Sequence, residues 1–371
     1  MKLVIEKNIL LEKLTNVMRA ISSRNLIPIL NGVKFELKKE GLYLTASDSD
    51  LIIQTFIDKK EIKNIQEPGV IIIQSKYLLE IIKKLPNGDI NIEVIDGLKI
   101  IISTENTIFN LNCLSTEDYP QLKFEEIKNP INLESDILKK IIHQTIFAIS
   151  NQESRPLLTG INLKLVANKL NCIATDSYRL AKKTIELDQD YENFDIVIPG
   201  KNLQELDKLL SENKNVEIHP FINKIIFKYD DYIFQSNLLS GAYPDTLNFI
   251  PKDFNFILTT SLTDFMSAID RAALLTQNKD KNIVKMETKT NEVLISSFAS
   301  EIGKVEETLL VDKNTNENIN ISFSSKYMLE ALKTFTEEDL LILLNTDSQP
   351  IILKSIKDET LIQLILPIKT Y

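Results

Sequence analysis

The stretch SKYLLEIIKKL at residues 75–85 recurs twice along the chain, as GKNLQELDKLL at residues 200–210 and as SKYMLEALKTF at residues 325–335. In each copy a lysine at the second position is followed by glutamate four residues later and by lysine seven residues later. At about 100° per residue these three positions lie within roughly 60° of one another on an α-helix, and the apolar residues lie opposite. The sequence therefore predicts three amphipathic helices, each with one face for a core and one face that displays lysine.

The segments around the three copies repeat as well. Each copy stands between two runs of strand-type residues, for example GVIIIQ before and DINIEVI after the first copy, and a second amphipathic helix is predicted upstream of each. A single Lys–Glu–Lys helix is better explained as a solvated face with ordinary ion pairs, but such a face needs no fixed lysine register in three copies. We therefore expect an α+β protein of three repeated domains, each with two helices packed on antiparallel sheets, at residues 1–128, 129–252 and 253–371.

The composition sets limits on function. The 371 residues carry 43 Lys and Arg against 52 Asp and Glu, a formal net charge of -9, so any DNA contact needs a localised basic face. The chain has no run of about 18–20 apolar residues, and Glu6 and Glu12 fall where a signal peptide would be apolar, which predicts a cytoplasmic protein with no membrane segment. Cys113 and Cys172 lie in apolar stretches and are expected in the core, and no cofactor or metal site is expected.

Five segments, in order along the whole chain, resemble motifs of the bacterial replicative sliding clamp family, the β subunit of DNA polymerase III. They are SSRNLIPILNGVKFEL (22–37), NLNCLSTEDYPQL (110–122), CIATDSYRLA (172–181), LLSGAYPDTLNFIP (238–251) and LILPIK (364–369). The resemblance implies a head-to-tail homodimer of three-domain subunits that closes into a ring around duplex DNA and confers processivity on a polymerase. The lysine faces would then line the hole, where phosphate contacts carry no sequence information and permit sliding.

The resemblance and the repeat together nominate residues that face DNA. Arg24, Lys76, Lys201, Gln152 and Arg155 match family positions at the channel. The repeat alone adds Lys83, Lys208, Lys326 and Lys333.

The resemblance also implies an apolar cleft between the second and third domains. In the family this cleft binds a short peptide of the polymerase III alpha subunit, the clamp loader or other proteins with a clamp-binding motif. The matching residues are Leu158, Thr175, Ser177, Tyr178, Arg179, Leu180, Pro244, Asn248, Phe249, Pro350, Leu364, Leu366, Pro367, Ile368 and Lys369. Apolar anchors would enter the groove while Arg179 and backbone groups orient the peptide.

Three features of the cleft segments depart from the family pattern. Asn248 stands where many members have arginine, Lys369 replaces the usual terminal arginine, and Thr370 and Tyr371 extend past the common end. The first two changes remove planar donors, and the sequence alone does not determine their effect on the peptide preference.

The resemblance places the dimer interface on two short segments. It nominates Ile108, Phe109 and Leu111 of the first domain against Leu274 and Leu275 of the third.

Two other classes of function are alternatives to a clamp. An enzyme is disfavoured because the chain has two histidines, His143 and His219, and none of the common catalytic or nucleotide-binding motifs. The acids of ATDSYR (174–179) and DSD (48–50) are expected to be turn residues rather than a metal site. A three-domain scaffold that binds peptides without DNA stays open as the alternative.

Overall fold

Three successive thirds of the chain have the same order of elements: a strand, an α-helix, four or five strands, a second α-helix and three more strands. The computed structural model describes residues 1–22, 27–96, 98–276 and 282–369, without the side chain of residue 247. The α-helices are α1 (Lys7–Val17), α2 (Ser75–Lys84), α3 (Ser135–Thr145), α4 (Gly200–Leu209), α5 (Leu262–Ala273) and α6 (Ser325–Leu332). The α+β class and the threefold repeat predicted from the sequence are confirmed.

The strands are short and their bounds follow the repeats. The first repeat has β1 (Lys2–Glu6), β2 (Gly32–Leu37), β3 (Gly41–Ser47), β4 (Leu51–Asp58), β5 (Ile62–Glu67), β6 (Gly69–Gln74), β7 (Asp89–Ile95), β8 (Lys99–Ser103) and β9 (Ile108–Leu114). The second has β10 (Ile131–Glu134), β11 (Gly160–Val166), β12 (Lys169–Thr175), β13 (Arg179–Glu186), β14 (Phe194–Pro199), β15 (Asn215–Pro220), β16 (Lys224–Tyr229) and β17 (Tyr232–Asn237). The third has β18 (Phe256–Ser261), β19 (Ile283–Thr288), β20 (Glu292–Ala299), β21 (Gly303–Leu310), β22 (Asp312–Lys313), β23 (Asn320–Ser324), β24 (Asp339–Leu344), β25 (Ile351–Ser355) and β26 (Leu361–Ile365).

Local sequence accounts for these elements. Strand β19 alternates half-buried and buried residues, the period of two expected where one face covers a core. Helix α5 buries Leu262, Phe265, Ala268, Ile269 and Ala272, a stripe with helical spacing. The helix begins after Ser261, whose hydroxyl accepts a hydrogen bond from the backbone N–H of Asp264 at 3.2 Å, as an N-cap does.

The chain folds into two compact units. One unit contains Met1–Lys139 and Lys201–Leu238, and the other contains Lys140–Gly200 and Leu239–Tyr371. Among the described residues, the first unit has one sheet in the order β10-β15-β16-β17-β4-β3-β2-β6-β9-β8-β7-β1-β5. The second unit has two sheets, β14-β11-β12-β13-β26-β25-β24-β18-β22 and β21-β20-β19-β23. The central repeat is thus divided between the units, and the boundaries at residues 128 and 252 stay a prediction.

Antiparallel pairing between strands of neighbouring repeats explains this division. In the first unit β17 pairs with β4, with Tyr232 opposite Thr55. In the second unit β13 pairs with β26, with Arg179 opposite Ile365. Each pairing continues a sheet from one repeat into the next, so the backbone hydrogen bonds of the repeats are shared.

The acidic turn residues have the structural role expected from the sequence. The Asp48 carboxylate accepts hydrogen bonds from the backbone N–H groups of Asp50 and Leu51, at 3.1 and 2.8 Å. The Asp176 carboxylate accepts from those of Tyr178 and Arg179, at 2.9 and 3.0 Å. Each acid closes the turn before a strand, β4 in one case and β13 in the other.

The two cysteines lie in the core, as the sequence predicted. Cys113 and Cys172 are buried free thiols, and burial raises the pKa of Cys172 to about 12. In the part of the chain that the structure describes, none of the helices has the length and apolar character needed to cross a membrane.

Candidate functional site

The three helices of the repeat are amphipathic in the predicted register. Leu78 and Ile82 of α2, Leu203 and Leu206 of α4, and Met328 and Leu332 of α6 are buried. The first lysine of each copy is exposed on its helix: Lys76, Lys201 and Lys326. The second lysines, Lys83, Lys208 and Lys333, are exposed as well, and Lys333 follows the last residue of α6 as its C-cap. Each copy of the repeat therefore presents both of its lysines to solvent.

Nearby carboxylates reduce the positive charge of the first two helices. Glu80 lies 3.5 Å from the Lys83 ammonium, and Glu205 lies 2.7 Å from that of Lys208. Lys201 pairs with Asp50 at 3.2 Å, in the turn before β4. These pairs are solvent-exposed, so each contributes at most about 1 kcal/mol to stability, and they leave the lysines accessible to a polyanion.

The glutamate of the third helix has a different partner. Glu330 of α6 accepts a hydrogen bond from the Arg179 guanidinium at the start of β13. Among the ion pairs of the described residues, none involves Lys326 or Lys333.

Two other predicted DNA-facing residues lie in one loop. Gln152 and Arg155 are exposed in the segment before a 3-10 turn at Pro156–Thr159. The Arg155 guanidinium donates a hydrogen bond of 3.0 Å to the Ser177 hydroxyl. Arg24 lies outside the described residues.

Residues from five separate segments of the second unit line one cavity of about 630 Å³. Its lining is mainly leucine, proline and phenylalanine. The lining residues are Leu158, Thr175, Ser177, Arg179, Leu180, Pro244, Thr246, Asn248, Phe249, Pro251, Gln349, Pro350, Leu364 and Leu366. A cavity of this size and character fits a few apolar side chains of a peptide.

Strand pairing brings the walls of this cavity together. Leu180 of β13 lies opposite Leu364 of β26, and the chain after β26 is held by a 2.9 Å hydrogen bond from the Leu366 N–H to the Tyr178 carbonyl. Ile173 and Ile352 lie with these leucines in a buried apolar cluster. The apolar wall is therefore built on packed strands rather than on a free loop.

A tyrosine attaches the segment at residues 244–249, which forms another wall of the cavity, to the strands. The Tyr243 hydroxyl accepts a 3.1 Å hydrogen bond from the Thr175 N–H, and burial raises the pKa of Tyr243. The following segment carries Pro244 and Phe249 into the cavity. Asn248 donates to the Asp245 carboxylate at 2.8 Å, so its amide is engaged by its own loop.

The Arg179 side chain is buried at the edge of the cavity. Its Nε donates to the Asp176 carboxylate at 3.0 Å, and an Nη group donates to Glu330. The guanidinium stacks over the rings of Phe147 and Tyr327, at 5.2 and 4.4 Å from their centroids. Two carboxylates and two aromatic rings fix the arginine in one position, which the sequence did not predict.

Eleven of the fifteen predicted cleft residues line the cavity. The other four lie beside it: Tyr178 and Lys369 are exposed, and Pro367 and Ile368 are half-buried. Tyr178 follows Ser177, which has a positive φ of 77° in the turn, and Ile368 is held by a 2.7 Å hydrogen bond from its N–H to the Ser322 carbonyl. Thr246, Pro251 and Gln349 line the cavity and were missed, although each lies within two residues of a predicted one. Thr370 and Tyr371 lie outside the described residues.

The predicted dimer residues include two strongly exposed apolar side chains. Ile108 in β9 is 67% exposed, and Leu274, directly after α5, is 62% exposed. Phe109, Leu111 and Leu275 are half-buried. Exposed apolar residues of this size are typical of contact surfaces when they occur together with unpaired strand edges.

Comparison with known proteins gives matches along the whole chain. Family models of the DNA polymerase III beta subunit match residues 1–123 (N-terminal domain), 132–245 (central domain) and 248–369 (C-terminal domain). The chain is similar to a beta sliding clamp of Bacillus subtilis at 42% identity and to one of Staphylococcus aureus at 37%, with 100% of each chain covered. It is also similar to the crystal structure of a DNA polymerase sliding clamp from Bacillus subtilis, with a TM-score of 0.97, 41% identity and 100% of both chains covered.

Proposed function

The chain belongs to the DNA polymerase III beta subunit family, and on that premise we propose that it is a DNA sliding clamp. It acts as a ring-shaped homodimer that encircles duplex DNA and tethers a replicative polymerase, which confers processivity. The observation that carries this proposal is the Lys–Glu–Lys repeat, which exposes both lysines of each copy. A sequence-independent partner with regularly spaced phosphates accounts for a lysine register that recurs three times.

The charges on these helices suit sliding rather than tight binding. Phosphate contacts hold DNA without reading its sequence, and their strength falls steeply with salt. Glu80 and Glu205 weaken two of the three lysine faces further. The net charge of -9 disfavours DNA binding elsewhere on the protein, so the closed ring rather than affinity retains the DNA.

One edge strand and one strand that is paired along one side for most of its length support the homodimer. In the sheets formed by the described residues, β21 is an edge strand, and residues 108–112 of β9 pair with β8 while only Cys113 and Leu114 pair with β6. Exposed Ile108 on β9 and exposed Leu310 on β21 lie on these strands. Pairing of β9 in one subunit with β21 in a second copy would cover both edges and both side chains, and two such head-to-tail contacts close a ring.

The cavity in the second unit is proposed as the binding site for partner proteins. Leu158, Leu180, Leu364 and Phe249 offer apolar contacts to the Leu and Phe side chains of a clamp-binding motif. The partners proposed from the family are the polymerase III alpha subunit, the clamp loader and other proteins with that motif. The chain itself is proposed to have no catalytic centre and to act in the bacterial cytoplasm, where the chromosome is replicated.

Retention on circular DNA tests the ring. The chain is incubated with a nicked circular plasmid, a clamp loader and ATP, and DNA-bound protein is separated by gel filtration at high salt. We expect the protein to stay with the circle and to leave after the plasmid is linearised, because a closed ring can slide off only at an end. The control is the same plasmid linearised before loading. A chain that binds a motif peptide and is never retained on the circle would instead be the peptide-binding scaffold without DNA.

A further inference from the structure

The glutamates of the three repeated helices do not have the same partners. In α2 and α4 the glutamate pairs with the lysine three residues later, at 3.5 Å for Glu80 and 2.7 Å for Glu205, and Glu205 also lies 3.5 Å from the Arg19 guanidinium. In α6, Glu330 instead pairs with Arg179, which lies 151 residues away in the sequence. One glutamate of the Lys–Glu–Lys register is therefore bonded to an arginine that lines the cleft.

The surroundings of Arg179 explain why it takes this glutamate. The guanidinium is buried, and a buried arginine requires carboxylate partners because an unpaired charge is costly to remove from water. Asp176 is one partner, and it is also bonded to the turn before β13. Glu330 is the second, and it approaches from α6 beside Tyr327, whose ring lies 4.4 Å from the guanidinium carbon. Both arginine and glutamate belong to the same compact unit.

We propose that Glu330 serves both binding sites at once: it positions Arg179 at the peptide cleft, and Arg179 in turn withholds Glu330 from Lys326 and Lys333. This inference rests on the proposed function, since it concerns how the cleft and the lysine face are linked. Arg179 in the cleft then neutralises Glu330, so that the positive charge of Lys326 and Lys333 on α6 is not reduced by that carboxylate. The first two helices, in contrast, are partly neutralised by their own glutamates.

The spacing of residues on α6 would let Glu330 pair with a lysine of its own helix in place of Arg179. Lys326 lies four residues before Glu330 and Lys333 three residues after it, so both ammonium groups are within reach of the carboxylate on one helix face. Without Arg179, Glu330 would pair with either lysine as Glu80 and Glu205 pair with theirs. The third helix would then attract DNA less strongly.

Peptide binding tests the positioning role. A fluorescent peptide with a Gln-x-x-Leu-Phe motif is titrated by anisotropy against the full chain and the variants Glu330→Gln and Glu330→Asp. We expect Glu330→Gln to weaken binding roughly tenfold, because a charge-assisted hydrogen bond that fixes the arginine is lost. Glu330→Asp keeps the charge and should recover part of the affinity. The matched control is Glu80→Gln, the same change at the same register of α2, which should leave peptide affinity unchanged.

DNA binding tests whether Arg179 keeps the Glu330 carboxylate away from the lysines of α6. The affinity for a short fluorescein-labelled duplex is measured at low salt for the full chain, Arg179→Gln and the double variant Arg179→Gln/Glu330→Gln. Arg179→Gln should weaken DNA binding by about twofold, because Glu330 is released to the lysines of α6. The double variant should regain the DNA affinity although its cleft stays impaired. Loss of packing alone would not be reversed by a second substitution.

A comparison of two exposed lysines gives a test that does not depend on a buried arginine. Lys333→Gln should weaken DNA binding more than Lys83→Gln, because Lys83 is paired with Glu80 and the Lys333 charge is not shared. Equal losses for the two lysines, an unchanged peptide affinity in Glu330→Gln, or a double variant as weak on DNA as Arg179→Gln would each overturn the proposal. A parent chain that binds neither peptide nor DNA would contradict the proposed function instead.

Discussion

Replacing Ile108 with aspartate should open the proposed ring without unfolding the subunit. The Ile108 side chain is 67% exposed in the single chain, so the folded subunit does not depend on its burial. Full burial of an isoleucine contributes about 1.5–3 kcal/mol, and burial of the exposed two thirds at an interface therefore contributes about 1–2 kcal/mol. A ring has two interfaces, so the substitution removes about 2–4 kcal/mol, equal to a rise of roughly 30- to 1000-fold in the dimer Kd.

The assay is light-scattering mass over a dilution series, with thermal unfolding measured on the same samples. The control is Ile222→Asp, the same change at a fully exposed isoleucine in the turn between β15 and β16. We expect Ile108→Asp to become monomeric at concentrations where the parent chain and the control are dimers, with equal unfolding midpoints. A dimer as tight as that of the parent chain would refute the assignment of β9 to the interface.

Three further predictions concern the cleft, the lysine faces and pH. Phe249→Ala should weaken binding of the motif peptide by roughly tenfold or more in anisotropy titrations, because it deletes an aromatic wall of the cavity, while the dimer mass stays unchanged. Lys201→Gln should lower the slope of log affinity against log salt for duplex DNA by about 0.9, the share of one phosphate contact, and an unchanged slope would place Lys201 away from DNA. Burial lowers the pKa of His219 below its ordinary value of 6.5, and the nearby Lys228 charge acts in the same direction. The unfolded chain therefore binds this proton more readily, so urea stability should be full above pH 6.5 and fall below it, and His219→Asn should flatten that part of the profile.

Protonation of His219 also breaks a hydrogen bond. The His219 Nδ1 accepts from the Ile127 N–H at 3.2 Å, in the segment that connects the first two repeats. A protonated imidazole has no acceptor nitrogen, so this bond is lost on protonation. An acid-sensitive profile that survives in His219→Asn would assign the effect to other groups.

The helix register illustrates how far sequence reasoning reaches. Lysine, glutamate and apolar spacing within eleven residues predicted which face of α2 is buried, and Leu78 and Ile82 are buried. The prediction succeeds because helical periodicity is a local property that needs no knowledge of the partner surface. The same spacing did not reveal that Glu330 pairs with Arg179 rather than with a lysine of its own helix, since Arg179 belongs to another repeat.

The cleft shows which features the sequence did not predict. Family motifs identified eleven residues that line one cavity, and they missed Thr246, Pro251 and Gln349. Tyr178 was expected in the wall, but it is exposed beside the cavity. Which side chains of a turn line a cavity depends on the backbone path of that turn, which residue type alone does not determine.

The sequence by itself determined the threefold repeat, the α+β class, the lysine register and the family, because these follow from local periodicity and from motifs within short segments. Only the tertiary structure decided that β4 pairs with β17 and β13 with β26, so that the central repeat is divided between two compact units. It also decided that Arg179 holds Glu330. Both depend on contacts between residues far apart in the chain, and such contacts form only when sheet pairing and burial bring them together.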